Sequence, residues 1–300
     1  MIDIQELNEK FSIPGTIAFN KPENKLIQLT VSNGLADAVI CLYGAQILSF
    51  RPKNGPDLLW MSPLSYFESG RAIRGGIPIC FPWFGPHKSN TQKPQHGFGR
   101  LMSWNVVETA ELLTGETVIR LELCSSDATI PFWPHDFCAQ LSVLVGKTLE
   151  VTLKVANISS LPFDYSCALH TYYNVSAIEN ISISGLGQTH YLKNDEPGDF
   201  IQEDQLLEIH QLEDRHYYNT EATCIIDDPI FKRKVRVEKS GSKVTTVWNP
   251  WAENCAKISD MPDDGYKSFV CIEAVNSLDN TIYLNPGESH ETTAIIGLED

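Results

Sequence analysis

Residues 140–155 read Gln140-Leu141-Ser142-Val143-Leu144-Val145-Gly146-Lys147-Thr148-Leu149-Glu150-Val151-Thr152-Leu153-Lys154-Val155. Apolar side chains recur at every second position on both sides of the glycine, and this period of two is typical of half-buried β-strands. The central residues 145–148 place a glycine where a tight turn favours positive φ. The stretch therefore predicts two antiparallel strands joined by a hairpin.

Similar strand-like segments recur along the chain and are separated by Gly, Pro, Asn and Asp. They include residues 27–31, 117–123, 245–248 and 292–296, and residues 239–242 predict a second hairpin turn. Helical spacing is limited to residues 2–11, which predict one short helix within residues 1–12. Without a long linker or an internal repeat, the chain is expected to form one all-β domain over residues 1–300, a large two-sheet sandwich of antiparallel strands.

Length and composition exclude several classes of protein. The 300 residues are 42% hydrophobic and 20% charged, which is typical of a globular protein. No run approaches the roughly 20 apolar residues that cross a bilayer. The acidic N-terminal residues 1–10 do not resemble a signal peptide, so we expect a cytoplasmic protein with no membrane partner. The acidic surface and the absence of heptads favour a monomer.

The formal net charge of −15 disfavours a nucleic-acid partner, because such binding requires a basic surface. An anionic ligand would therefore need a local basic cluster that works against the overall field. The eight cysteines form no Cys-x-x-Cys pair and no zinc-like grouping with histidines. We expect reduced, buried thiols, no disulfide and no metal; the cysteines are Cys41, Cys80, Cys124, Cys138, Cys167, Cys224, Cys255 and Cys271.

Residues 69–100 and 195–219 break the strand rhythm, and long loops in compact domains often carry function. The first segment is rich in Gly, Pro and aromatic residues, which suits either a ligand-stacking loop or an aromatic plug at one end of the sandwich. Two of the eight arginines, Arg74 and Arg100, lie beside its glycines. They could clamp a phosphate, although a lone arginine is more often a surface ion-pair partner.

Two further residues stand out within apolar segments. His170 ends the strand-like residues 166–169 and could act as a general acid or base, or could be a hydrogen-bonded core histidine. Glu273 lies in the apolar residues 268–275, where a carboxylate is costly unless it is functional or paired with an arginine. The charged residues 213–217 are either a solvated face or a sugar-binding segment.

Taken in order, several motifs resemble the glucose-6-phosphate 1-epimerase family, also called hexose-6-phosphate mutarotases, of the aldose 1-epimerase superfamily. The similarity extends over about residues 35 to 298 and is carried by RGGIP at 74–78, FPWFGP at 81–86, QHGFGR at 95–100, FWPHDF at 132–137, ALHTY at 168–172, SGLG at 184–187, DR at 214–215, WNP at 248–250 and MPDDGY at 261–266. The resemblance implies a galactose mutarotase-like supersandwich that interconverts the anomers of a hexose 6-phosphate without a cofactor.

By motif position, the resemblance implies that His170 is the acid and Glu273 the base of ring opening. It also implies that Arg74 and Arg100 bind the phosphate and the sugar. Gln95 and Asp214 would bind hydroxyl groups of the sugar, and His96 would contact the substrate. One departure is His216, a position that is often aliphatic in this family, and we expect it to be peripheral. The small-molecule partner implied is thus a sugar phosphate.

Other functions remain open at this point. A mutarotase for unphosphorylated aldoses would not need the two arginines. A carbohydrate-binding sandwich module would keep the pocket without turnover. A glycosidase would need two carboxylates about 5 to 9.5 Å apart, and Glu273 has no obvious acidic partner in the sequence.

Overall fold

The computed structural model describes residues 3–22, 26–194 and 196–299. The α-helices are α1 Ile4–Phe11 and α2 Trp251–Cys255, and short 3₁₀ turns occupy Gly99–Leu101, Ile178–Asn180, Gly265–Ser268 and Leu278–Asn280. The strands are β1 Ile17–Asn20, β2 Gln28–Ser32, β3 Ala36–Cys41, β4 Gln46–Pro52, β5 Ile79–Cys80, β6 Asn105–Glu111, β7 Thr117–Cys124, β8 Phe137–Val145, β9 Leu149–Asn157, β10 Phe163–Tyr165, β11 Cys167–Leu169, β12 Tyr172–Asn174, β13 Ser182–Ser184, β14 His190–Lys193, β15 Phe200–Ile201, β16 Leu206–Leu207, β17 Glu213–Tyr218, β18 Cys224–Asp228, β19 Arg233–Ser240, β20 Val244–Asn249, β21 Phe269–Asn276, β22 Ile282–Leu284 and β23 Ser289–Leu298. The all-β prediction is confirmed.

Two large antiparallel sheets dominate this architecture. One has the order β16-β13-β18-β19-β23-β9-β8-β7-β6 and contains the predicted hairpin, in which Val145 pairs with Leu149. The other has the order β15-β14-β17-β20-β21-β11-β5, and β12 also pairs with β21. The strands β1 to β4 form a separate four-stranded sheet, and β10 pairs with β22. No helix in the described ranges is long and apolar enough to cross a membrane.

The hydrophobic core lies between the two large sheets. Strands β8 and β9 bury every second side chain, and these residues belong to one cluster with Val247, Ile272 and Tyr217 of the eight-stranded sheet. Each fully buried Val or Leu contributes about 1.5–3 kcal/mol. Strand β21 is buried on both faces and packs against β19 and β23. Side chains on the opposite face of the eight-stranded sheet are therefore held in place by a tightly packed core.

The predicted N-terminal helix is confirmed, with its start at Ile4. The Asp3 side chain accepts a hydrogen bond from the backbone N–H of Gln5 and so caps the first turn. Leu7 supplies the buried face of the helix. Met1 and Ile2 lie outside the described residues, and the single-domain organisation stays a prediction.

The prediction of a hairpin at residues 239–242 is wrong. Strand β19 pairs with β18 and β23, whereas β20 pairs with β17 and β21, so this turn carries the chain from one large sheet to the other. Gly241 has φ +65°, and a Cβ at this position would lie 1.9 Å from the carbonyl oxygen of Glu291. The glycine therefore permits a close backbone approach between the turn and strand β23, a purpose that local sequence does not reveal.

The prediction that residues 195–219 are irregular is wrong for their last part. Strand β17 pairs with both β14 and β20, and its side chains alternate between the two faces of the sheet. On the core side, the Nε atom of Arg215 lies 2.5 Å from a buried carboxylate oxygen of Glu213. Asp214 and His216 project from the opposite face. Charged residues on both faces conceal the strand pattern, because apolar alternation is the usual signal.

The prediction of eight reduced cysteines is wrong for one pair. Cys124 and Cys138 are directly opposite each other on β7 and β8, with Cα atoms 4.1 Å apart, and they form a disulfide. Directly opposed residues on antiparallel strands have Cβ atoms close enough for their sulfur atoms to bond. This pairing can be recognised only after the strand register is known. The other six cysteines are free and buried.

Candidate active site

A cavity of about 300 Å³ opens on the face of the eight-stranded sheet that is turned away from the core. This volume lies at the lower end of the range for small-molecule sites. All seven residues predicted for the site line this cavity: Arg74, Gln95, His96, Arg100, His170, Asp214 and Glu273. The structure therefore brings together residues that span two hundred positions of sequence.

Strand register explains how the floor of the cavity is built. His216 of β17 pairs with Thr246 of β20, which in turn pairs with Glu273 of β21. Asp214 pairs with Trp248 in the next row on the same face. Adjacent strands lie about 4.8 Å apart, so these side chains stand side by side on the sheet surface. The floor is as rigid as the sheet itself.

Glu273 and His170 form a buried acid–base pair. The Oε1 atom of Glu273 lies 3.4 Å from Nε2 of His170, and the Glu273 residue is only 1% exposed. No hydrogen-bond partner contacts Oε2 of Glu273 or Nδ1 of His170 among the described residues. The two structural alternatives, an arginine-paired carboxylate and a hydrogen-bonded core histidine, therefore do not describe this arrangement.

Burial shifts the two groups in opposite directions. It raises the pKa of Glu273 well above its usual value, and the charge of Asp214 adds to this effect. It lowers the pKa of His170 to about 3, with Arg100 and Arg74 as further causes. Both shifts disfavour charge on an empty, desolvated site. Transfer of a proton from the Glu273 carboxyl to His170 gives a carboxylate base and an imidazolium acid side by side, which is what combined acid and base catalysis requires.

Two arginines face the same cavity. The Nε atom of Arg74 donates to Oδ1 of Asp260 at 3.1 Å, and its Nη1 donates to the hydroxyl of Tyr172 at 3.0 Å. The Nη2 atom of Arg100 donates to the carbonyl oxygen of Gln95 at 2.8 Å, whereas its buried Nε has no hydrogen-bond partner in the described part of the chain. Arg74 is thus an ion-pair partner, but in the cavity wall and not on the open surface. Much of both guanidinium groups remains available to an anion.

The protonation states of these groups favour anion binding. Burial opposes the charge of Arg74, but Tyr172 and Asp260 outweigh it and raise its pKa. Burial lowers the pKa of Arg100, and Arg74 acts in the same direction. An arginine nevertheless stays protonated at neutral pH, so the cavity holds two cations in a chain of net charge −15. This is the local basic cluster that an anionic ligand requires.

His96 lies between the loop and the acid–base pair. Its ring centroid is 5.1 Å from that of Phe84 and 5.7 Å from that of His170. Its Nδ1 accepts a hydrogen bond from the backbone N–H of Gly85, so the neutral ring carries its proton on Nε2. Burial and Arg100 lower the pKa of His96 well below its usual value. His96 can therefore donate one hydrogen bond without adding charge.

The segment of residues 69–100 serves both purposes that its composition suggested. Phe81 contacts Trp133, Phe137 and Tyr165 edge-on in a buried aromatic plug. Phe84 lines the cavity instead. The plug anchors the loop, and the loop presents one aromatic face to the site.

Close backbone packing fixes this loop against the sheet. Gly97 has φ +75°, and a Cβ there would lie 2.0 Å from the carbonyl oxygen of Phe81. The backbone N–H of Gly99 donates to the same oxygen at 2.9 Å. Gly97 therefore sets the distance between the segment that carries Gln95 and Arg100 and the segment that carries Phe84.

We expect Gly97→Ala to destabilise the protein by about 3 kcal/mol or more, because the added methyl group collides with backbone and the left-handed conformation is strained. Gly70→Ala is the matched control. Gly70 also has positive φ, +88°, but a Cβ there meets nothing within 4 Å. Its cost should be only about 1 kcal/mol. Denaturant unfolding of both variants measures the difference, and equal costs would contradict the packing argument.

Sequence reasoning missed several residues of the cavity. His216 was expected to be peripheral and this is wrong, because it is buried in the cavity wall. Asn194 and Thr246 also line the cavity, and Asp260 supports Arg74. A separation of two residues between Asp214 and His216 on one strand was the only signal for His216. Pairing of β14 and β20 with β17 brings Asn194 and Thr246 to the site, and Asp260 lies in the segment between α2 and β21.

At the cavity, one set of donor atoms could hold a metal ion. Atoms of His170, Cys271 and Glu273 all lie within 4.8 Å of one another. This set shares the acid–base pair with the cavity and adds a fully buried thiol. Burial raises the pKa of Cys271 well above its usual value, so the thiol is protonated at neutral pH.

Comparisons with known proteins agree with the fold. The profile of the aldose 1-epimerase family matches residues 27–297. A Salmonella typhimurium protein provisionally named glucose-6-phosphate 1-epimerase is 37% identical over 247 residues, which cover 82% of each chain. An Escherichia coli K12 protein with the same provisional name is 36% identical over 250 residues, which cover 83% of each chain.

Solved structures show the same architecture. The crystal structure of a Salmonella typhimurium protein, YeaD, provisionally described as a mutarotase, has a TM-score of 0.89 and 31% identity, and the superposition covers 97% of this chain and 96% of that chain. A galactose mutarotase related enzyme from Lactobacillus acidophilus has a TM-score of 0.73 at 18% identity, covering 91% of this chain and 97% of that chain, and supports the fold alone. The predicted galactose mutarotase-like supersandwich is confirmed, and the chain belongs to the aldose 1-epimerase family.

Proposed function

We propose that this protein interconverts the α and β anomers of a hexose 6-phosphate, with glucose 6-phosphate as the first candidate substrate. The observation that carries the proposal is the buried Glu273–His170 pair in a cavity that also contains the guanidinium groups of Arg74 and Arg100. The pair supplies the chemistry, and the two cations supply a reason to prefer a phosphate ester. The provisional names of the relatives point to the same substrate.

The reaction needs two coordinated proton transfers. Glu273 accepts the proton of the anomeric hydroxyl while His170 donates a proton to the ring oxygen, and the bond between C1 and the ring oxygen breaks. The product is an open-chain aldehyde. Rotation about the C1–C2 bond and ring closure with reversed proton transfers give the other anomer. Each positioned group contributes about 10²- to 10⁴-fold to such a rate.

The remaining predicted residues bind and orient the sugar phosphate. Arg74 and Arg100 receive the phosphate, because planar guanidinium groups match its oxygens. Gln95 and Asp214 bind hydroxyl groups, and His96 donates a hydrogen bond from Nε2. The ring oxygen and the phosphate lie on neighbouring carbons of a hexose 6-phosphate, C5 and C6. This agrees with the electrostatic influence of both arginines on His170.

A bound phosphate also activates the acid. The positive charges of Arg100 and Arg74 contribute to the low pKa of His170. A phosphate dianion offsets these charges, so the pKa of His170 rises when the substrate binds. A sugar without a phosphate leaves the arginines uncompensated and His170 deprotonated. The substrate class is therefore selected in the chemical step as well as in binding.

The test begins with freshly dissolved α-glucose 6-phosphate and follows formation of the β anomer with a β-specific dehydrogenase. We expect the protein to accelerate the conversion well above the spontaneous rate, and to act on glucose at least 100-fold less efficiently. Equal acceleration of glucose would contradict the phosphate assignment. No acceleration of either sugar would instead support a carbohydrate-binding module.

The proposal also includes a monomeric state and a cytoplasmic location.

A further inference from the structure

A hydrogen-bonded chain links four residues in one wall of the cavity. Nδ1 of His216 lies 2.8 Å from Oγ1 of Thr246, and Nε2 of His216 lies 3.0 Å from Nδ2 of Asn194. The same Asn194 nitrogen donates to Oδ2 of Asp214 at 2.8 Å. Asp214 and His216 come from β17, Thr246 from β20, and Asn194 follows β14. Three strands therefore converge on one carboxylate.

The contacts fix the protonation state of His216. An amide nitrogen only donates, so Nε2 of His216 accepts from Asn194 and the ring is neutral with its proton on Nδ1. That proton is donated to Thr246. The opposite amide orientation would place the Asn194 oxygen against the carboxylate of Asp214, which would be repulsive. Both hydrogens of the Asn194 amide are thus used, one for His216 and one for Asp214.

We propose that His216 is a positioning residue for substrate recognition, which acts through Asn194 to hold Asp214 in place to accept hydrogen bonds from sugar hydroxyls. This inference rests on the proposed function, in which Asp214 binds the sugar. It gives a role to a position that is often aliphatic in the family. The role requires a neutral imidazole, because only that form can accept from Asn194.

Protonation of His216 would dismantle the arrangement. The imidazolium would carry a proton on Nε2, would repel the Asn194 amide and would turn to the Asp214 carboxylate, which lies 3.4 Å away. Asp214 would then be occupied by an internal ion pair and would bind hydroxyls less well. Burial lowers the pKa of His216 and Asp214 opposes this effect, so the neutral form prevails at neutral pH.

The surroundings of His216 contain few other charges that could dominate its titration. Thr246 contacts it from β20, Asn194 from the end of β14, and the ring of Phe84 lies 6.2 Å away. The next titratable groups on this face are Tyr218 on its own strand and Glu273 beyond Thr246. Among them, Asp214 is the charged group in contact.

The first experiment measures the Kd for glucose 6-phosphate by calorimetry, together with kcat, in His216→Leu, Asn194→Ala and the double variant. Each single variant should raise the Kd about five- to tenfold, as expected for loss of hydrogen bonding to a charged group, with kcat within about twofold. The double variant should be no worse than either single one, because both disrupt one linkage. His190→Leu, an exposed histidine outside the cavity, is the control.

Additive effects of the two substitutions would mean that His216 contacts the sugar independently, and would overturn the proposal. An unchanged Kd in His216→Leu would overturn it as well. The Kd is measured with the equilibrated mixture of anomers and does not require catalysis, so it can be interpreted even if the protein fails the anomerisation assay.

The second experiment titrates the His216 imidazole by NMR in the ligand-free protein, with the signal assigned by its loss in His216→Leu. Asn194→Ala should raise the pKa of His216, because a donor that favours the neutral ring is removed. Asp214→Asn should lower it, because a favourable charge is removed. Unchanged values in both variants would overturn the proposed linkage, whether or not the protein acts on sugar phosphates.

Discussion

Glu273→Gln is expected to slow anomer exchange about 10³-fold and to leave the fold at least as stable as the wild type. A glutamine has the same shape but cannot accept the proton of the anomeric hydroxyl, and removal of a positioned base costs about 10²- to 10⁴-fold. The Oε2 atom of Glu273 has no hydrogen-bond partner among the described residues, so little structural support is lost. A buried carboxylate with an unsatisfied oxygen is retained for function at the expense of stability.

Glu213→Gln is the matched control, because Glu213 is a buried carboxylate on the same sheet but on its core face, paired with Arg215. It should destabilise the fold by about 3 kcal/mol, since it breaks a buried ion pair. The remaining folded protein should keep its activity. Thermal unfolding and turnover, measured on both variants, separate the two roles. Near-normal turnover in Glu273→Gln would contradict the assignment of the base.

Arg100→Met is expected to lower kcat/KM for glucose 6-phosphate about 100-fold without slowing the reaction of glucose, because loss of the Arg100 charge also raises the pKa of His170. Loss of a buried charge partner costs about 2–5 kcal/mol, and the lower end of this range already corresponds to more than tenfold. Arg100 suits the test better than Arg74, because substitution of Arg74 would also leave Asp260 without its partner. Methionine keeps much of the apolar length of the side chain.

The measurement is the ratio of the two efficiencies for glucose 6-phosphate and glucose. Arg71→Ala is the control, because Arg71 is exposed and pairs with Glu68 at the surface. It should leave the ratio unchanged. Equal losses for both sugars in Arg100→Met would mean that Arg100 supports the acid–base pair and not the phosphate.

Local alternation was sufficient to predict much of the fold. The predicted segment 117–123 is β7 Thr117–Cys124, and the segment 292–296 lies within β23 Ser289–Leu298. Strand β7 buries every second side chain, so its pattern matches its environment, whereas β23 buries the consecutive residues 292–294 and is recognised by its β-branched and apolar composition. Strand β17 was not predicted, because both of its faces carry charged residues. The turn at residues 239–242 was misread because a hairpin and a crossover between sheets can use the same glycine.

The sequence predicted those site residues that lie in motifs shared with the glucose-6-phosphate 1-epimerase family. His170 and Glu273 stand out as polar groups in apolar segments, and burial is what makes their pairing chemically useful. Asn194 and Thr246 carry no such mark, because only the register of β14, β17 and β20 brings them to His216. The disulfide between Cys124 and Cys138 depends on register in the same way. Long-range pairing is the information that local sequence lacks.

The most direct test is NMR magnetisation exchange between the α and β signals of glucose 6-phosphate at equilibrium, with glucose in the same tube. The account predicts that wild-type protein broadens and exchanges the anomer signals of glucose 6-phosphate, that those of glucose stay close to the protein-free rate, and that Glu273→Gln abolishes the effect. Exchange of glucose at an equal rate, or undiminished exchange of glucose 6-phosphate with Glu273→Gln, would contradict it.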